Sequence, residues 1–433
     1  SVAAACSFSH GVLPDDGGVV DMPLPDAAKC LGSSTECLGD VLRTCPGAGS
    51  DAFDTPCGWG CMPGSAARCL QIVPSGSGGT ATNGVLVTDV AADAALSDIT
   101  IPGGVTFDSD LGNIGTNVMP TMFHSAATGV DKGIDFQYRG PISVWRFKSL
   151  TISGNVTLVG KRPIALVADG PITINGVIDA RGGCLAFNAG PGGFGGGSNQ
   201  SEPGLPTVGG GSGSPDNTSG GGGGGHGGSG ATGNGVAGGS AFGDDLISTL
   251  VGGGGGGAGK CGNNNCDGGG GGGALQIVSN TRIVVQTGGV NAGGCGGKQG
   301  TGNGDTGGGG GAGGAILFEA PTVTIAAALA ANGGGGGGGG GNGSTTAGGN
   351  GSLDRTPAAA GTGNSNGEGG GSGAAANIAP GPGGNTGNPG GGGGGIGRIR
   401  INTKDNAGAT LTGATLSPGM SEPAFSTGSA ALQ

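Results

Sequence analysis

Unbroken glycine runs constrain this chain more than any other feature. Gly333 to Gly341 contains no other residue, and Gly220 to Gly225, Gly252 to Gly257, Gly268 to Gly273 and Gly390 to Gly395 are further pure runs. Glycine loses the most conformational freedom on ordering and adds no side chain to a core. Such runs either stay flexible or order through their backbones alone. Collagen is excluded, because its triple helix needs glycine at strictly every third position, whereas here the glycines come in blocks. With 117 glycines in 433 residues, 3% aromatic and 10% charged residues, a broad core of Leu and Phe is out of reach. Any core must be narrow and repeated, built from Val, Ile, Leu and Ala.

A repeat of that kind is present. Pro163 to Gly183, Gly273 to Gly294 and Gly314 to Gly334 each read as an apolar strand, a short polar turn, a second strand and a small residue before Gly-Gly. A fourth, degenerate unit starts at Gly397-Arg-Ile-Arg-Ile-Asn and runs to Leu411, Leu416 and Pro418. One such unit cannot bury its apolar face, but stacked units bury a continuous stripe. The expected fold is therefore all-β: a parallel β-helix or solenoid. Ile174 and Ile178, Ile283 and Val290, and Ile325 and Leu329 are expected to stack in register. Alternation from Val85, Val87 and Val90 through Ile142-Ser-Val144, Leu150-Thr-Ile152 and Val156-Thr-Leu158 predicts strands from residue 84 onward. The expected organisation is a Cys-rich head (1–75), a β-rich lead-in (76–140) and the solenoid (141–433), with glycine-rich insertions at about 182–273, 293–314 and 333–397.

Six of the eleven cysteines crowd into the head: Cys30, Cys37, Cys45, Cys57, Cys61 and Cys69. Cys184, Cys261, Cys266 and Cys295 lie in glycine-rich stretches. An even cluster in a loop-rich segment reads as a disulfide framework in an oxidising compartment, with connectivity left open. Zinc is the rival at Cys57-x3-Cys61, but the other spacings are loose and no histidine lies among them. Cys6 is left over. It is a candidate for an intermolecular disulfide or, after Ala3-Ala4-Ala5, for a lipid anchor. A lipoprotein site normally has Leu where Ala3 stands. No leader is visible, and Ser1 reads as a processed start.

The glycine insertions leave the repeat at equivalent points, which favours order over a linker. Glycine in the polyproline II conformation has three residues per turn and no internal hydrogen bonds. Its N–H and C=O groups point outward to neighbouring chains, which must supply their partners. This arrangement resembles the polyglycine II bundles of certain phage adhesins and of an arthropod antifreeze protein.

The net charge of −11 argues against nucleic acid, whose phosphates need clustered Lys and Arg. No apolar run approaches a membrane span, so no transmembrane segment is expected. No catalytic, cofactor or metal site emerges. His10, His124 and His226 are far apart, and His226, inside a glycine run, reads as a solvated interruption. Gly259-Lys260-Cys261 fails the phosphate-loop pattern. A polysaccharide-degrading enzyme would have to use Asp169, Asp179 and Arg181, which read more simply as turn residues. Asn155, Asn199, Asn217, Asn342 and Asn350 head Asn-x-Ser/Thr sequences that are open to glycans.

The cysteine-rich head with the Ile-Thr-Ile-Asn-Gly-Val-Ile-Asp-Ala (172–180) and Gly397-Arg-Ile-Arg-Ile segments is similar to glycine-rich secreted proteins of myxobacteria-like bacteria. The resemblance implies an exported β-solenoid and gives no activity. The expected function is an extracellular structural protein, not an enzyme, that self-assembles into a homopolymeric filament or surface layer. The alternative is a monomeric cell-surface adhesin, or an ice- or glycan-binding protein, with surface glycans as partners.

Overall fold

Residues that alternate apolar and polar pair most easily with copies of themselves, since like side chains then fall on the same face. The computed structural model, which describes residues 29–76, 84–116, 122–184, 188–198, 201–262, 266–341 and 343–433, shows this pairing on a large scale. Two compact units divide at Cys69 and Leu70.

The first unit has an antiparallel three-stranded sheet, Ser34–Leu38, Val41–Cys45 and Phe53–Pro56, and a small ladder of Cys61–Met62 with Arg68–Cys69. Its apolar content is too small for a core of its own. Three disulfides close it instead: Cys30–Cys45, Cys37–Cys61 and Cys57–Cys69. Trp59 is its largest buried side chain.

The second unit deals its strands in turn to three sheets. Ile142–Phe147 joins a first sheet, Ser149–Ile152 a second and Val156–Val159 a third. The cycle then repeats with Ile164–Ala168, Ile172–Ile174 and Val177–Asp179. It repeats again from Ala274–Ser279, from Ala315–Glu319 and from Arg398–Thr403. All these pairings are parallel. Identical faces therefore stack into columns. Ile164, Leu275, Ile316, Ile399 and Phe425 form one, and Ile178, Val290, Leu329 and Leu416 another. All nine lie in one buried cluster. Each such Ile or Leu contributes about 1.5–3 kcal/mol through burial.

Two details depart from the sequence reading. Ile174 stacks on Val285, and Ile283 on Ile172 and Val323, two residues away from the expected alignment. Both columns are apolar, so hydrophobicity alone does not distinguish them. Val87–Val90 is a helical turn rather than a strand. Asp89 accepts a bond from the Leu86 N–H at 2.9 Å and is held by Arg139 Nη2 at 2.6 Å. Local bonding by Asp outweighs the β-preference of the valines. Val87–Val90 is the one helix among the described residues, and none is long and apolar enough to cross a membrane.

The first edges of the first and third sheets are covered. Ile134–Arg139 and Gly129–Asp131 add antiparallel to the first sheet, and Ile114–Thr116 and Met122–His124 to the third. Trp145, Phe107 and Phe136 fill the space between, with Trp145 4.8 Å from Phe136 and edge-on to Phe107 at 5.7 Å. At the other end, Phe425–Ser429 extends the first sheet, and Ala431–Leu432 pairs with Ile72–Val73 of the same unit. The tail from Met420 to Gln433 thus has partners within its own chain.

Candidate functional site in the glycine bundle

All three glycine-rich insertions leave between a third-sheet strand and the next first-sheet strand, as residues 180–273, 292–314 and 331–397. The exit corner is polar. Arg181 donates to both oxygens of Asp179 at 2.9 and 2.8 Å. Asn291 Oδ1 accepts from Gly293 N–H at 2.9 Å, and Asn332 donates to the Ser352 and Asp354 carbonyls.

The central run shows how the backbone orders without side chains. Gly308 N–H donates to Lys298 O, Gly309 to Gly257 O and Gly310 to Gly392 O, each at 2.9 Å. Three residues on, Gly311 donates to Cys295 O, Ala312 to Gly254 O and Gly313 to Gly395 O. The same three neighbours therefore recur with a period of three residues. The carbonyls follow the same rule: those of Gly307, Gly308 and Gly309 accept from Gly221, Gly337 and Gly269, and those of Gly310, Gly311 and Ala312 from Gly224, Gly334 and Gly272. One segment is thus bonded to six others drawn from all three insertions. At the glycines of these runs the approach is too close for a side chain. A Cβ on Gly309 would overlap the Gly222 carbonyl, and one on Gly256 the Gly309 carbonyl.

Disulfides and a polar knot pin the bundle. Cys184 pairs with Cys295 across two insertions, and Cys261 with Cys266 inside one. Cys6 lies outside the described residues. Where the run from Gly220 ends, His226 is buried rather than solvated, as its position in the sequence had suggested. Its Nδ1 lies 3.0 Å from Gly313 O, and its ring centroid 5.0 Å from that of Phe242. Burial pushes its pKa down to about 4 despite the Gly313 contact. Phe242 O accepts from Arg398 Nη2 at 3.2 Å, and Arg398 forms an ion pair with Asp245. Bulk and charge here stand in for glycine where the bundle meets the first sheet.

The residues weighed for chemistry are occupied elsewhere. Asp179 and Arg181 bind each other, which holds Arg181 above its usual pKa. Asp169 accepts from Asn280 at 3.2 Å. His124 sits between the Gly112 and Gly129 carbonyls at 2.8 and 3.1 Å, while His10 lies outside the described residues. Cys261, Cys266 and Asp305 come together, but Asp305 already accepts from the Gly262, Thr301 and Gly302 N–H groups. Asn155 Oδ1 accepts from Val177 N–H and Asn350 Oδ1 from Gly296 N–H, both at 2.9 Å; Asn199 and Asn342 lie outside the described residues.

Sequence reasoning missed the buried carboxyl group of Glu319 and its partners. Glu319, 1% exposed, accepts from Ser75 Oγ at 2.7 Å, Gln276 Nε2 at 2.6 Å and Asn402 Nδ2 at 3.0 Å. Ser75 is remote in sequence, and no local pattern marks it. No protein family, curated protein or solved structure matches the chain.

Proposed function

We propose that this chain is an extracellular structural protein: a β-solenoid carrying a polyglycine II bundle, which self-assembles into a homopolymer and catalyses no reaction. The observation that carries the reading is the three-residue period of hydrogen bonding through Gly307 to Gly313, with six neighbouring segments around one run. A three-fold screw of outward-pointing donors and acceptors is what the polyproline II conformation offers a chain without side chains. Strands dealt in turn to three parallel sheets support the solenoid. Ten paired cysteines fit an oxidising, extracellular setting.

The bundle accounts for a structural role better than for a chemical one. Ordering a residue costs about 1–2 kcal/mol, and a backbone hydrogen bond returns about 0.5–1.5 kcal/mol net. A glycine run therefore gains stability mainly from added neighbours. Gly363, Gly369, Gly381 and Gly384 are half-exposed, so backbone in the third insertion is open to a further neighbour. The exchange of the C-terminal tail between subunits is the weaker route, because that tail pairs within its own chain.

The test is light scattering with electron microscopy of the native protein across concentration and salt. Polymer that persists in high salt is expected, because uncharged backbone contacts are not screened. A monomer at the highest attainable concentration overturns the structural reading in favour of a surface-displayed adhesin.

A further inference from the structure

The second sheet carries a column of hydroxyls. Its six strands pair so that Thr100, Thr151, Thr173, Val284, Thr324 and Thr410 fall in one register. Their chain neighbours, among them Ile101, Ile152, Ile174 and Val323, point into the core. The column therefore faces outward: Thr100, Thr324 and Thr410 are exposed, and the other three are partly so.

β-Propensity alone favours threonine on any outer strand face, and the third sheet provides the comparison. Its corresponding column reads Thr106, Thr157, Asp179, Asn291, Ala330 and Ser417, and its last three members are buried. The third sheet is thus covered over half its length, whereas the second-sheet column stays open to solvent from Thr100 to Thr410. Threonine occupies five of the six positions of this open column, and the single exception, Val284, has nearly the same shape.

From this periodic array we infer that the second-sheet column is a binding face for ice. Hydrogen bonding spaces neighbouring strands about 4.7–4.9 Å apart, so the hydroxyls repeat at that interval along the stack. Threonine is stiff at χ1, so the array is ordered before contact and loses little entropy on binding. A partner must then be periodic, uncharged and rich in hydrogen-bonding groups. The column itself bears no charge in a chain of net charge −11. Of the charged residues one step along the strands, Asp98 is paired with Lys148 at 3.0 Å, and Arg282 stands alone on its strand. No aromatic side chain occupies these six strands, which disfavours a sugar surface gripped by ring stacking. The oxygen lattice of ice has a repeat close to the strand spacing. Threonine hydroxyls take the place of lattice water while their methyl groups seat in its cages.

The experiment grows ice slowly in a solution of the whole protein and measures enrichment in the solid. Thr173→Lys and Thr324→Lys are compared with Thr157→Lys on the third sheet, and unfolding midpoints are followed in parallel. The protein is expected to enter ice and slow its recrystallisation. Each second-sheet variant should lose enrichment roughly tenfold or more, equivalent to about 1.4 kcal/mol, while Thr157→Lys retains it. Exclusion of the unmodified protein from ice, or equal loss in Thr157→Lys, overturns the inference. Retention on crystalline cellulose or chitin that Thr173→Lys abolishes, without enrichment in ice, also overturns it and assigns the face to a polysaccharide.

Discussion

Gly309→Ala is the most informative single change. Gly309 donates to Gly257 O at 2.9 Å and accepts from Gly269 N–H at 2.8 Å, and an added Cβ would overlap the Gly222 carbonyl. Gly222 O in turn accepts from Gly257 N–H. One methyl group must therefore displace a neighbouring run and loosen two or three buried backbone bonds. Overpacking costs about 1–3 kcal/mol, and each buried group left unsatisfied about 1–3 kcal/mol. With the other bonds re-formed on relaxation and one group left unsatisfied, the sum is about 2–6 kcal/mol. Gly262→Ala is the matched control, because its Cβ would meet no atom within 4 Å and its φ is not in the left-handed region. That change should be neutral or slightly stabilising, since alanine restricts the unfolded chain. The assay is denaturant unfolding of both variants against the parent. Equal stability of Gly309→Ala and Gly262→Ala would refute close backbone packing in the bundle.

Two further outcomes follow from the anchors. The folded-state pKa of His226, about 4, lies below the unfolded value of about 6.5. The unfolded chain then takes up a proton first, so stability should fall by about 3 kcal/mol as pH drops from roughly 6.5 to roughly 4; His226→Gln should flatten that slope in pH-dependent unfolding, and an unchanged slope contradicts the assignment. Replacing Cys184 and Cys295 by Ser opens a link spanning 111 residues. It should lower stability by about 2–5 kcal/mol in denaturant unfolding, and no change would show that the bundle holds its two insertions without the staple.

The β-strands were legible in the sequence, because period-two alternation is a local signal. The column partners were less so. Ile283 fits either of two apolar columns, and only the turn at Asn280 and Thr281 decides between them. The helical turn at Val87–Val90 depended on Asp89 meeting Arg139, a contact 50 residues away. Cysteine content announced disulfides, yet the pairing of Cys37, in the three-stranded sheet, with Cys61, in the separate two-stranded ladder, carries no local signal. His226 and Glu319 carried no warning. Their roles come from carbonyls and amides brought together across 87 and 244 residues.

Amide hydrogen exchange across Gly333 to Gly341 tests the central claim most directly. In this run, Gly334 donates to Gly311 O, Gly335 to Gly349 O, Gly336 to Gly371 O and Gly337 to Gly308 O, at 2.8–2.9 Å. Protection approaching that of the core strands is expected through the run, since these bonds open only when neighbouring segments separate. Exchange at the rate of a free glycine peptide, in a protein whose sheet amides remain protected, would show that the glycine segments are linkers and would contradict the bundle.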